Sequence, residues 1–236
     1  MVLAAGRGER MRPLTDVSPK PLLSVRGQPL MQWPMQALAR GGFVRQLVNT
    51  AWLGEQISAH FGELLQCPGL PDVHIRYSHE GLDFGRALET AGGIVRALPS
   101  LDAVFWVVAG DVFAPDFEFN EQALQRFAAS TALAHLWLVP NPAHNPGGDF
   151  GLSPSGQVLN LPKGAPGRAH TFSTIALYKQ AFFAQCGVPP GNPAGVALAL
   201  APLLRAAMDR GEVSGEVYTG DWADVGTPER LQQLNG

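Results

Sequence analysis

The chain has little cysteine, no long apolar run and no surplus of basic charge. Its two cysteines, Cys67 and Cys186, stand far apart and outside any C-x-x-C spacing. That excludes a disulfide-stapled scaffold and a zinc ribbon. It suits a reducing compartment, so a cytoplasmic protein is expected, with both thiols acting as small hydrophobes. No apolar stretch reaches the ~20 residues of a membrane-spanning helix, and no basic segment leading into an apolar core and cleavage site opens the chain. No membrane partner is therefore expected. Lys and Arg total 17 against 20 Asp and Glu, which argues against a nucleic-acid partner. The six histidines show no H-E-x-x-H or related ligand spacing. Internal repeats and low-complexity linkers are absent too.

What is present is a chain of 236 residues, 46% of them hydrophobic, enough for one large domain or a domain with a small lobe. Apolar β-rich runs alternate with helical patterns, which predicts an α/β fold with a mainly parallel sheet. Strands are expected at Met1–Ala4, Gln46–Asn49, Val73–Ser78, Val104–Ala109, Ala134–Val139 and Thr171–Tyr178, with short ones at Glu216–Tyr218 and Trp222–Val225. Helices are expected at Leu30–Arg40, Leu53–Phe61, Leu88–Ala97, Leu198–Met208 and Pro228–Leu234. Pro34 and Pro202 are tolerable only near a first turn, and Pro228 suits a first helical position behind a Thr227 cap. Asp149–Leu161 reads as a hairpin turning at Ser153-Pro154-Ser155-Gly156. Val104–Ala109 is apolar throughout, as a strand buried on both faces should be.

The first strand breaks into Gly6-Arg7-Gly8-Glu9-Arg10-Met11-Arg12-Pro13-Leu14-Thr15, and Ser18-Pro19-Lys20-Pro21 follows. Glycines let backbone N–H groups approach an anion, and arginines offer forked donors to phosphate oxygens. The order is that of a strand feeding a polyphosphate-binding loop. No Gly-Lys-Ser/Thr closes it, so it is not a Walker loop, and Gly6-x-Gly8 lacks the third glycine of a dinucleotide fingerprint.

The string L-A-A-G-x-G-x-R-M-x-P-L-T followed by P-K-P resembles the signature of the sugar-1-phosphate nucleotidyltransferases, also called nucleotide-sugar pyrophosphorylases. The resemblance implies a Rossmann-like nucleotidyltransferase fold with a mainly parallel central sheet and a small sugar-binding subsheet. It implies a single domain, 1–236, with a nucleotide-binding half at 1–112 and a sugar-binding half at 113–236. The implied reaction is attack by a sugar-1-phosphate oxygen on the α-phosphorus of a nucleoside triphosphate, with pyrophosphate leaving. Both reactants are anions, so the site must neutralise charge and align them.

The resemblance assigns the residues as follows. Leu3, Ala4, Ala5, Gly6 and Gly8 would cradle the nucleotide. Arg12 would hold the β- and γ-phosphates, and Lys20 would bridge the phosphates of both substrates. Asp111 follows the Val104–Ala109 strand, where open α/β sheets place ligands. With Asp224 of Trp222-x-Asp224-x-Gly226-Thr227-Pro228 it would bind Mg²⁺, which favours oxygen ligands and substrate phosphates. Glu80, Thr90 and Gly92 belong to the base-reading segment. A Glu80 carboxylate can accept an N–H from uracil, thymine or guanine, and adenine has no matching ring N–H. Glu89 stands where the family's L-G-T-A-G has glycine, and extra residues lie between Glu80 and Leu88. Gly148, Asp149, Ser173 and Thr174, with Lys20, would meet the sugar, Thr174 replacing a frequent glycine. Lys163 and Arg168 are further cations of the sugar half. Trp52 is expected to pack.

The segments Asn49–Ile57, Leu88–Gly93 and Gly148–Phe150 and the short length are most like the family branch that joins UTP to N-acetylmuramate-1-phosphate in peptidoglycan recycling. Mannose-1-phosphate with GTP, or glucose-1-phosphate with a thymidine or uridine triphosphate, is the alternative. A non-catalytic domain that binds nucleotide sugars is another. The chain is expected to be a monomer or a small homo-oligomer.

Overall fold

The computed structural model describes residues 1–236. The strands are β1 (Val2–Ala4), β2 (Ser24–Val25), β3 (Gln28–Pro29), β4 (Arg45–Thr50), β5 (Leu64–Leu65), β6 (Val73–His79) and β7 (Val104–Ala109). After them come β8 (Val112–Phe113), β9 (Ala134–Pro140), β10 (Gly151–Leu152), β11 (Val158–Leu159), β12 (His170–Lys179), β13 (Val213–Val217) and β14 (Ala223–Asp224). The helices are α1 (Leu14–Val17), α2 (Gln32–Arg40), α3 (Gly54–Phe61), α4 (Glu80–Phe84), α5 (Glu89–Ala97), α6 (Glu121–Ala129), α7 (Leu200–Asp209) and α8 (Pro228–Asn235).

Eight strands form one sheet in the order β13-β9-β12-β7-β1-β4-β6-β5. The β7, β1, β4 and β6 neighbours are parallel, and so is the β13–β9 pair. β12 runs antiparallel between β7 and β9. Strands from both sides of residue 112 therefore share one continuous sheet, while residue 112 itself lies on β8, in the separate β14–β8 pair. The small hairpin β10–β11 forms a sheet of its own, joined to the main one by bridges at Phe150–His170 and Gln157–Ser214, with its turn closed by the Gly156 N–H to Ser153 O bond at 3.0 Å.

The apolar run of β7 shows why the sheet sits between two helical layers. Trp106 and Val108 enter one core with side chains of α2, α3 and α6. Phe105 and Val107 enter the other, with α5 and α7. Alternate residues thus face opposite sides, and both sides are dry.

Most element boundaries depart from the sequence expectation by a residue or two, as frayed ends do. Two differences have a physical cause. β13 begins at Val213, not Glu216, because Gly215 lies inside the strand. A Cβ there would come within 2.7 Å of Leu136 O, so the glycine permits close pairing with β9. α6 is not among the expected helices. It buries only Ala123 and Phe127, one i, i+4 pair, so its apolar stripe is thin; the Asn120 side chain caps it by accepting from Ala123 N at 2.8 Å.

Candidate functional site

A cleft of about 910 Å³ opens at the C-terminal ends of β1 and β7 and continues along the sheet face toward α7. Its upper rim is the loop after β1. Gly8 has φ +67°, and a Cβ there would press within 3.2 Å of Lys20 Cβ, so glycine is needed both for the turn and for the fit. Thr15 Oγ1 donates to Gly8 O at 2.8 Å. The loop is also clamped from outside: Trp52 Nε1 donates to Thr15 O at 2.9 Å, and the Arg7 guanidinium lies 3.6 Å over the Trp52 ring. Trp52 thus packs as expected, and its packing fixes the phosphate loop.

Leu3, Ala4, Ala5, Gly6 and Gly8 all line the cleft, with Lys20 and Asp111. Lys20 is buried and forms an ion pair with Asp111. Arg12 does not line the cleft. Its side chain is 60% exposed and its Nε holds Asp16 Oδ1 at 2.8 Å. Arg10 is the arginine that faces in. The structure therefore places Arg10, and not Arg12, at the cleft, and the motif G-x-G-x-R-M carried that signal, since its arginine falls at position 10.

Asp224 sits on β14, paired with Val112 of β8, the residue after Asp111. Val225 N donates to Asp111 O at 3.0 Å. The two aspartates are thus held on hydrogen-bonded neighbouring segments. Asp111 is 36% exposed and Asp224 26%. Arg230 Nη1 reaches both Asp224 oxygens at 2.8 and 2.9 Å, and His144 Nε2 lies 2.9 Å from Oδ1. Thr227 caps α8 and Pro228 opens it, which sets Arg230 one turn from Asp224. Two partly exposed carboxylates, with no third His, Cys, Asp or Glu arranged as a cage, form an oxygen donor set that suits a hard divalent cation completed by water and phosphate.

The base-reading segment is organised differently from the expectation. Glu80 is fully buried and does not line the cleft. Its Oε1 accepts from Asn49 Nδ2 at 2.7 Å and its Oε2 from Leu88 N at 2.7 Å. Asn49 Oδ1 in turn accepts from Ala4 N at 3.0 Å. Burial pushes the Glu80 carboxyl above its ordinary range, and the Leu88 and Asn49 donors oppose that shift. Glu80 therefore ties β1, β4 and the start of α5 together, and both of its oxygens are occupied. Gly92 also leaves the site: it packs under the Val196 carbonyl, 2.6 Å from where a Cβ would stand. Thr90 and Glu89 face the cleft. Glu89 has φ +56°, which explains the glycine of the family pattern at this position.

In the sugar half, Asp149 and Thr174 line the cleft, while Gly148, Ser173, Lys163 and Arg168 do not. Gly148, at φ +58°, gives the backbone room beside Asn141 and Arg168 O, which a Cβ would approach to 2.6 and 2.8 Å. Ser173 is fully buried; its Oγ donates to Trp137 O at 2.6 Å and accepts from Ile175 N at 3.1 Å. That pins the register shift between Phe172 and Ile175. The shift turns Thr174, at φ +64°, into the cleft, its hydroxyl buried without a partner. Arg168 is drawn off to Asp149 O at 3.0 Å. The cation that faces the sugar half is Arg205 of α7, with its Cζ 5.2 Å over the Phe150 ring. In the sequence it looks like an ordinary basic residue on an amphipathic helix.

Comparison with known proteins gives a consistent result. The model of the nucleotidyl transferase family matches residues 1–236. The chain is 45% identical to the N-acetylmuramate alpha-1-phosphate uridylyltransferase of Neisseria meningitidis serogroup B, over 99% of this chain and 95% of that protein. It is 30% identical to the protein of the same name from Caulobacter vibrioides, over 97% and 92%. A crystal structure described as a glucose-1-phosphate thymidylyltransferase from Bacillus anthracis, with sucrose bound, superposes with a TM-score of 0.77 at 19% identity, covering 99% of this chain and 92% of that one. At that identity the likeness concerns the fold.

Proposed function

The chain belongs to the nucleotidyl transferase family, and on that premise we propose that it joins UTP to N-acetylmuramate-1-phosphate, with magnesium, giving the UDP-sugar and pyrophosphate. The reaction class is sugar-1-phosphate nucleotidyl transfer. The geometry accounts for its steps. Gly6, Gly8 and Arg10 line the cleft, where backbone N–H groups and the Arg10 guanidinium would meet the triphosphate and offset charge as it moves onto the departing pyrophosphate. Lys20 reaches from a backbone stiffened by Pro19 and Pro21 to the carboxylate of Asp111. There it can contact the phosphates of both substrates and bring the attacking oxygen in line with the α-phosphorus. One phosphorus–oxygen bond forms to the sugar phosphate as the bond to the β-phosphate oxygen breaks, and pyrophosphate takes the electron pair. A divalent cation held by Asp111 and Asp224 supplies charge neutralisation at the phosphates when bound.

The observation that carries the choice of sugar is Arg205. It is the one cation of the second half that lines the cleft. Of the sugars considered, only the lactyl ether of N-acetylmuramate adds a carboxylate, and a forked guanidinium suits it. The likeness to the Neisseria and Caulobacter enzymes supports the same sugar and the same base. The test is pyrophosphate release measured for four nucleoside triphosphates against a panel of sugar-1-phosphates. UTP with N-acetylmuramate-1-phosphate is expected to give the highest kcat/KM. A higher value for mannose- or glucose-1-phosphate would overturn the sugar and leave the reaction class standing.

A further inference from the structure

Arg205 lines the cleft, and the residues behind it decide how it presents its charge. It stands on α7, and its Nη1 donates to Asn160 Oδ1 at 2.6 Å. Asn160 follows β11, so the β10–β11 hairpin carries it to the flank of α7. The hairpin is fixed there. Val158 is fully buried in the core that holds Leu204 and Ala207 of α7, and Gln157 Nε2 donates to Gly211 O at 3.3 Å. The guanidinium also lies over Phe150, a buried ring just before β10. One hydrogen bond and one stacked face set the plane of the fork, and its other N–H groups have no protein partner.

Asp209 lies four positions after Arg205 on α7, the spacing at which opposite charges on a helix meet. That pair is not made, and Arg205 enters no ion pair at all. Both Asp209 oxygens instead accept from Asn160 Nδ2, at 3.0 and 3.2 Å. The amide of Asn160 thus has its oxygen on the cation and its nitrogen on the anion, and it separates two charges that would otherwise meet. Asp209 does not line the cleft. A guanidinium paired with Asp209 would offer a substrate a neutralised fork. The one held by Asn160 offers a whole charge.

We propose that Asn160 is a positioning residue for sugar selection: it orients Arg205 at the cleft and keeps Asp209 from neutralising it. This rests on the reading above, in which Arg205 meets the carboxylate of the sugar. It adds how the chain keeps a free cation at that point, and it gives a specificity role to a side chain outside the cleft. Asn160→Asp keeps the shape and cancels the charge of Arg205. Asn160→Ala leaves Asp209 without its donor, free to turn onto Arg205.

The experiment measures KM for N-acetylmuramate-1-phosphate and for UTP, with kcat and the melting temperature, in the wild type and in variants. Asn160→Asp and Asn160→Ala should each raise KM for the sugar phosphate about tenfold and leave KM for UTP unchanged. Asp209→Ala added to Asn160→Ala should recover most of that loss, whereas Asp209→Ala in the wild type should move the same KM less than twofold. A hairpin that only stabilised the fold would shift both KM values together and would not be rescued by removing Asp209. Equal shifts for both substrates, or no rescue, would therefore overturn the role of Asn160. Arg205→Ala separates the two levels. If it raises KM for the sugar phosphate while both Asn160 variants behave as wild type, Asn160 alone is misread. If it leaves that KM unchanged, or if the wild type does not turn over N-acetylmuramate-1-phosphate, the reading of Arg205 falls and the role of Asn160 with it.

Discussion

Lys20 and Asp111, 91 positions apart in the chain, form an ion pair inside the cleft. The pair joins the phosphate loop to the end of β7, and it neutralises a carboxylate that a metal ion would otherwise face. Asp224 is neutralised in the same way by Arg230, with His144 Nε2 also within hydrogen-bond reach of it. Both candidate metal ligands thus carry a protein cation as partner, and binding of a divalent ion with substrate must displace or share it.

Asp111→Asn and Asp224→Asn should each lower kcat about 100-fold or more while leaving the fold intact, because each removes a charge from the proposed metal pair and no core packing. Chelation should silence the wild type, and added magnesium should restore it. Circular dichroism and pyrophosphate release on the same samples check both halves. Near-normal turnover in either variant would show that the carboxylate is not a ligand.

Arg10 and Arg12 should behave oppositely. Arg10→Ala removes a forked donor facing the cleft and should cut kcat/KM for the nucleotide about 100-fold. Arg12→Ala breaks an exposed pair with Asp16 and should leave kcat/KM within about twofold, since such pairs are screened by solvent. Steady-state kinetics on the two variants decides which arginine serves the triphosphate.

That contrast marks what the sequence could and could not convey. The strand, loop and Asp111 were legible because a continuous apolar run ending in Gly-Asp has one reading in a parallel sheet. The choice between two arginines two positions apart was not, because it depends on the turn at Gly8 and on Asp16 drawing Arg12 outward. Glu80 misled for a similar reason. A loop carboxylate beside a base-reading motif looks free, and nothing in the sequence says that Asn49, from a distant strand, will occupy it. Arg205 was hidden because helix periodicity explains it as a surface residue, and only the assembled cleft shows that Arg205 borders it.

The Asn49–Glu80 bond offers a test of that buried brace. A Cβ on Gly93 would overlap Glu80 Oε1 and lie 2.9 Å from Asn49 Nδ2. Gly93→Ala should therefore displace the carboxylate and cost about 2 kcal/mol or more, as a broken buried hydrogen-bond network does. The loss should appear as a lower midpoint in urea. In the material that remains folded, KM for the nucleotide should rise more than kcat falls, because the brace positions Leu88 and Ala4 without meeting the reacting atoms.

Thr174 presents the opposite balance. It holds φ +64° with a β-branched side chain, and its hydroxyl is buried unpaired. Both features are unfavourable in the free protein, and the residue that carries them lines the cleft. Thr174→Gly removes the backbone strain and the orphaned hydroxyl, so stability should rise by about 1 kcal/mol after the entropy cost of glycine is counted. If the hydroxyl bonds the sugar, KM for the sugar phosphate should increase several-fold, while KM for the nucleotide stays where it was. Thr174→Ser, which keeps the hydroxyl and sheds the branch, should recover the sugar KM and part of the stability. Equal KM values in all three proteins would show that Thr174 only shapes the bulge and that the family's glycine would serve as well.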